Sequence, residues 1–162
     1  MKITSSLILL SALGIAGCGD DHPQNGSLGD SGHHQHVAPH GGTLLEVGPH
    51  GSGFNLELLL QSDGFLHIYI LDAHAENFVR IAAETIELEI LDLNQSRPKI
   101  VCKAVADPGT GESVGDSSLF TSTETITGFL PLKAKIQTLP IKKQVYENIV
   151  FELPGNSTQT EK

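Results

Sequence analysis

The chain is predicted to be all-β: an antiparallel β-sandwich of the immunoglobulin type, with about seven to nine short strands behind a disordered N-terminal tether. Three observations lead there. Alternating apolar and polar residues recur, as in Thr85-Ile86-Glu87-Leu88-Glu89-Ile90, and a period of two sets one face of a strand against a core. Turn residues interrupt these runs every ~8–12 positions, drawing on 17 Gly and 8 Pro in 162 residues. No window sustains a helical period. One-sided alternation in the outer strands favours two packed sheets.

Taken in order, residues 1–17 read as a signal peptide. Lys2 supplies the positive start, and the apolar run from Ile3 to Ile15 falls short of the ~20 residues needed to span a bilayer. The run ends in Ile15-Ala16-Gly17-Cys18, which resembles a bacterial lipobox. That resemblance implies a lipid-acylated Cys18 and a domain anchored to the membrane, facing the periplasm of the cell envelope. Gly19, where an Asp would signal inner-membrane retention, favours the outer membrane. Residues 18–36 form the acylated Cys and a Gly-, Asp- and Ser-rich tether whose distal end is rich in His. Residues 37–154 are the β-domain, and residues 155–162 are a polar tail.

Within the domain, strands are expected at Thr43 to Val47, Phe54 to Leu60, Phe65 to Leu71, Phe78 to Ile81 and Thr85 to Ile90. Further strands are expected at Ile100 to Val105, Leu132 to Ile136 and Ile149 to Leu153, with short extended pieces at Leu119 to Thr121 and Ile126 to Phe129. Gln61-Ser62-Asp63-Gly64 and the stretch Asn94 to Pro98 read as turns. With Trp absent and aromatics at 5% of a chain that is 39% hydrophobic, the core is aliphatic. Cys102, on a strand-like run, reads as a small buried apolar residue. A formal charge of −9 argues against nucleic acid, which needs clustered Lys or Arg. The chain is expected to be monomeric.

All eight His precede position 75. His33, His34, His36 and His40 crowd the entry to the first strand. Neutral imidazole is the commonest protein ligand for zinc and copper, and a flexible arm can wrap its ligands around an ion. Zn²⁺ or Cu²⁺ is therefore the expected cofactor. His40 precedes Gly41-Gly42, either as a ligand or as the cap of a turn. His74 lies on a loop with Asp72 and Glu76. His67 alternates with Phe65 and Tyr69 and reads as a packed strand residue; His50, in a Gly-Pro-His-Gly turn, reads as exposed.

Pro39-His40-Gly41-Gly42-Thr43-Leu44-Leu45-Glu46-Val47-Gly48, followed by Leu56-Glu57-Leu58 and Leu66-His67-Ile68-Tyr69-Ile70-Leu71-Asp72, resembles a small periplasmic β-domain. That domain occurs near the N-terminus of adaptor proteins of heavy-metal (cobalt, zinc, cadmium) efflux pumps and in free-standing bacterial lipoproteins. The resemblance covers about residues 36 to 90. It implies a periplasmic β-sandwich close to metal export, an envelope or efflux protein as partner, and His40 and Glu57 as matched positions. The adaptors' long α-hairpin and lipoyl-like halves are missing, so this chain is not expected to bridge a pump.

The candidate metal set is therefore His33, His34, His36, His40, Glu57 and His74, with Cys18 lipidated. Catalysis is not expected. Gly115-Asp116-Ser117-Ser118-Leu119 is similar to an esterase block, but no His follows position 74 to serve as its base. The competing reading is a non-catalytic structural or interaction module of the envelope.

Overall fold

The computed structural model describes residues 36–91 and 99–155. The signal segment, Cys18, His33, His34, the tether before residue 36, the turn at Asn94 to Pro98 and the tail after Gly155 lie outside the described residues. The fold is all-β. Eight strands make one antiparallel sheet: β1 Thr43–Val47, β2 Phe54–Leu60, β3 Leu66–Leu71, β4 Thr85–Ile90, β5 Lys99–Ala104, β6 Leu119–Ser122, β7 Leu132–Ile141 and β8 Gln144–Leu153. Their spatial order is β1-β2-β3-β6-β5-β4-β7-β8.

This corrects the expected sandwich to a nearly closed barrel. The short strand β6 makes the difference. It pairs with β3 through Ile68↔Phe120 and with β5 through Cys102↔Ser122. Without β6, β1-β2-β3 and β5-β4-β7-β8 would be separate sheets. With it, they are one surface curled around a single core. Alternation along each strand is the same in both architectures. The seam is closed by packing: Gly48, after β1, lies against the Tyr146 ring of β8, and Gly155, after β8, lies against Thr43.

The inward residues are those the alternation selects. Leu56 and Leu58, Leu66, Ile68 and Ile70, Ile86 and Leu88, and Ile100 are all essentially inaccessible, and Phe120 is the bulkiest fully buried side chain. Cys102 is buried among them as a free thiol, and burial pushes its pKa up to about 12. Buried Ser122 is satisfied: its hydroxyl accepts from Leu66 N (2.9 Å) and donates to the Glu124 carbonyl (2.7 Å).

Four expected elements change. Phe78 to Ile81 makes only single bridges, Leu71↔Phe78 and Ile81↔Ser117, because this stretch crosses the barrel end on its way to β4. The expected extended piece at Ile126 to Phe129 is a 3-10 turn, Thr127–Phe129, following the buried Ile126. Strands β7 and β8 are twice the expected length. In β7 the buried positions run Leu132, Ala134, Ile136 and then Leu139, Ile141. In β8 they are Ile149, Phe151 and Leu153, while Tyr146 is the half-buried residue of the other half. Both strands change inward parity at the same level, where Asn148 takes φ 55° and bonds Gln137. Asn tolerates that left-handed backbone better than most residues. The parity change lets a long hairpin bend with the barrel wall.

Candidate functional site

On strand β2, Leu56 and Leu58 face the core, so Glu57 faces outward. It is nonetheless 0% exposed, because the segment from His36 to Gly42 folds back over the outer face of β2 and β3. Glu57 Oε1 accepts the backbone N–H of His40 (2.8 Å) and of Gly42 (2.9 Å), and Oε2 accepts from His40 Nδ1 (2.8 Å). Three donors thus converge on one buried carboxylate, and charge-assisted bonds of this kind are the strong ones. Gly42 is required here by close approach: a Cβ would fall 2.7 Å from the Leu58 carbonyl oxygen and 2.9 Å from Glu57 Cγ. Of the two open roles for His40, the turn-closing one is visible.

The His40 ring stacks on Tyr69, which sits opposite Glu57 in the β2–β3 register (centroids 4.1 Å, 19° between planes). Phe78, 51% exposed, lies 5.8 Å from His40 and 6.0 Å from Tyr69. Tyr69 holds its proton above the usual phenol range, through burial first and the Glu57 charge second. His67 is half-buried beside it, with Nδ1 near Gln61 Nε2 (3.2 Å) and Tyr69 Oη (3.4 Å). Burial lowers its pKa, with Asp63 opposing and His40 adding to the fall.

A second histidine group forms at the end of the barrel where β1 passes into β2 and β3 ends. His36 comes from the arm, His50 from the β1–β2 turn and His74 from the loop after β3. The His36 ring centroid is 5.6 Å from that of His50 and 5.7 Å from that of His74. His36 Nε2 is buried with no hydrogen-bond partner. His50 Nδ1 bonds Glu46 Oε1 at 2.8 Å, and if Nδ1 is the donor the lone pair is on Nε2.

The His74 loop is rigidly built. Asp72 Oδ1 accepts the backbone N–H of His74 (3.2 Å) and Glu76 (3.0 Å), and Oδ2 accepts from Asn77 Nδ2 (2.6 Å). Buried Asn55 donates to the carbonyls of Asp72 (2.9 Å) and Ala73 (3.1 Å). For Asp72, burial pushes the carboxyl pKa up. The bonds from the Asn77 side chain and the backbone N–H groups of Glu76, Asn77 and His74 outweigh it, so the net shift is downward.

Of the predicted site residues, the structure therefore brings His36 to His74 and His40 to Glu57. Glu57 is engaged at both oxygens in holding the turn. His33, His34 and Cys18 lie outside the described residues. His50 joins His36 and was missed: a Gly-Pro-His-Gly turn gives no hint of its spatial neighbour. Among the described residues, no group of three or more His, Cys, Asp or Glu side chains is placed so that it could hold a metal ion. Ser117, of the esterase-like block, is buried with its hydroxyl donating to the Val105 carbonyl (2.7 Å). Comparison of the chain with protein-family models, curated proteins and solved structures finds no match.

Proposed function

We propose that this chain is a lipid-anchored, periplasm-facing envelope protein that binds a divalent transition metal, in the buffering or export of such ions. The observation that carries the reading is that the His36 ring, whose Nε2 has no hydrogen-bond partner, lies beside two imidazoles from other parts of the chain, His50 and His74. Buried polar atoms without partners are rare and call for an explanation. A ligand nitrogen in an apo protein is one. The anchor rests on Ile15-Ala16-Gly17-Cys18.

Isothermal calorimetry on the untagged mature protein tests the reading. About one equivalent of Zn²⁺ or Cu²⁺ should bind at neutral pH. Affinity should fall steeply toward pH 5, because imidazole, with an ordinary pKa of about 6.5, must be neutral to ligate. Zn²⁺ at a hundred times Kd should raise stability by ~2.7 kcal/mol. A flat titration with both ions would dismiss the metal. A second reading, an interaction module, is favoured by the exposed Phe78 beside Tyr69 and His40. It predicts that Phe78→Ser disrupts a co-purifying envelope complex without affecting ion binding.

A further inference from the structure

We propose that residues 36–42 form a latch that lifts off the barrel as one unit while the eight strands stay folded, with the Glu57 carboxylate as its catch. The latch goes beyond the metal and anchor readings, and neither an ion nor a membrane enters it.

The segment is held at few points. Among the described residues, every hydrogen bond from it to the barrel wall ends on Glu57, from His40 N–H, Gly42 N–H and His40 Nδ1. The Gly41 N–H stays within the segment, on the Ala38 carbonyl (3.1 Å). The remaining attachments are ring contacts, of His40 with Tyr69 and Phe78 and of His36 with His50 and His74. None of these residues belongs to the buried core, and Val37 is 80% exposed. Lifting the segment thus takes no core side chain of its own out of the barrel, whereas pulling a strand from the wall exposes the core residues it carries. Segments with few buried apolar contacts open at a free energy well below that of global unfolding.

The pivot lies between Gly41 and Thr43. Gly41 takes φ 77°, and a Cβ there would meet nothing within 4 Å. Thr43 is fixed in β1, opposite Leu58. Glycine absorbs backbone rotation at little steric cost. Opening bares Glu57 and the face of Tyr69. It also takes Gly41 and Gly42 out of the wall of a cleft of about 550 Å³, which Leu58, Leu60, Leu130 and Leu153 line as well. The latch therefore closes one side of an apolar cleft.

The test is amide hydrogen exchange, followed by NMR, on the untagged full chain in water and in urea below the unfolding transition. The His40 and Gly42 amides should exchange through one common opening, more slowly than an open chain and faster than the amides of Ile68, Leu88 and Ile100. Urea should hardly change the latch amides, because little surface is exposed, and should speed up the wall amides steeply. Glu57→Gln keeps the shape of the catch and removes the charge that strengthens its bonds. It should raise latch exchange about tenfold or more, with the wall amides still the slower set. Latch amides that share the rate and urea dependence of the wall would overturn the proposal, since the segment would then leave only with the barrel. Open-chain exchange in the parent, latch exchange in Glu57→Gln within twofold of the parent, or loss of wall protection in Glu57→Gln would each overturn it too.

Discussion

The two histidine groups are built from the same arm, four residues apart in sequence, and do opposite things with their imidazoles. At His40 the ring is consumed by structure. One nitrogen bonds a fully buried carboxylate, one face stacks on Tyr69, and the backbone on either side is tied to the same Glu57. At His36 the ring has imidazole neighbours, and one of its nitrogens has no hydrogen-bond partner. The contrast separates fastening from function. A histidine beside a buried carboxylate with every oxygen in use is a clasp. Histidines that come together from an arm, a turn and a loop, one of them with an unpartnered nitrogen, are candidates for chemistry.

The largest test of this contrast is Glu57→Ala. It strips three donors of their acceptor beneath a covered surface and should cost about 3 kcal/mol in urea unfolding. It should also free the arm, seen as protease cleavage before Thr43. Gly42→Ala comes next, at about 1–3 kcal/mol, because its Cβ has nowhere to go but into the Leu58 carbonyl and the Glu57 stem. Asp72→Ala should cost about 1 kcal/mol and weaken Zn²⁺ binding by loosening the His74 loop.

The pH dependence is smaller and opposite in origin at the two regions. The Asp72 pKa is depressed in the fold, so its contribution is present above the unfolded value of about 3.9 and is lost as pH falls through the folded one. The His67 pKa is also depressed. Below the unfolded value of about 6.5, the unfolded chain takes up a proton that the fold resists, so His67 destabilises the protein on mild acidification. His67→Gln should flatten the stability profile between pH 6.5 and 5 and leave the lower limb, where Asp72 acts, in place. The smallest effect belongs to His50→Gln and His74→Gln, within about 0.5 kcal/mol without metal.

Much of the fold was legible. Strands β1, β2 and β4 fall on the expected residues because each holds one apolar period between turn residues. The far halves of β7 and β8 were hidden by the change of parity at Gln137 and Asn148, which interrupts the alternation that marks a strand. The barrel was hidden too, since it depends on four residues of β6 pairing on both sides, and no local pattern reports pairing partners. At the site, the crowding of His marks the half of the chain in which His36, His50 and His74 come close to one another. It could not divide those residues into clasp and cluster. Glu57 looked available because outward-facing strand carboxylates usually are. Only the arm folding over it takes it out of solvent.

The carboxylate under the arm has a mechanical consequence. A pull on the chain upstream of His36 does not reach the first strand directly. It is borne at His40 and Gly42 by bonds that lead sideways into β2, one strand in from the seam between β1 and β8. A load applied at His36 would therefore be shared with an interior strand of the wall and diverted from the edge beside the seam. Glu57 would in this way keep a pull applied at His36 from unpeeling the barrel at its first strand.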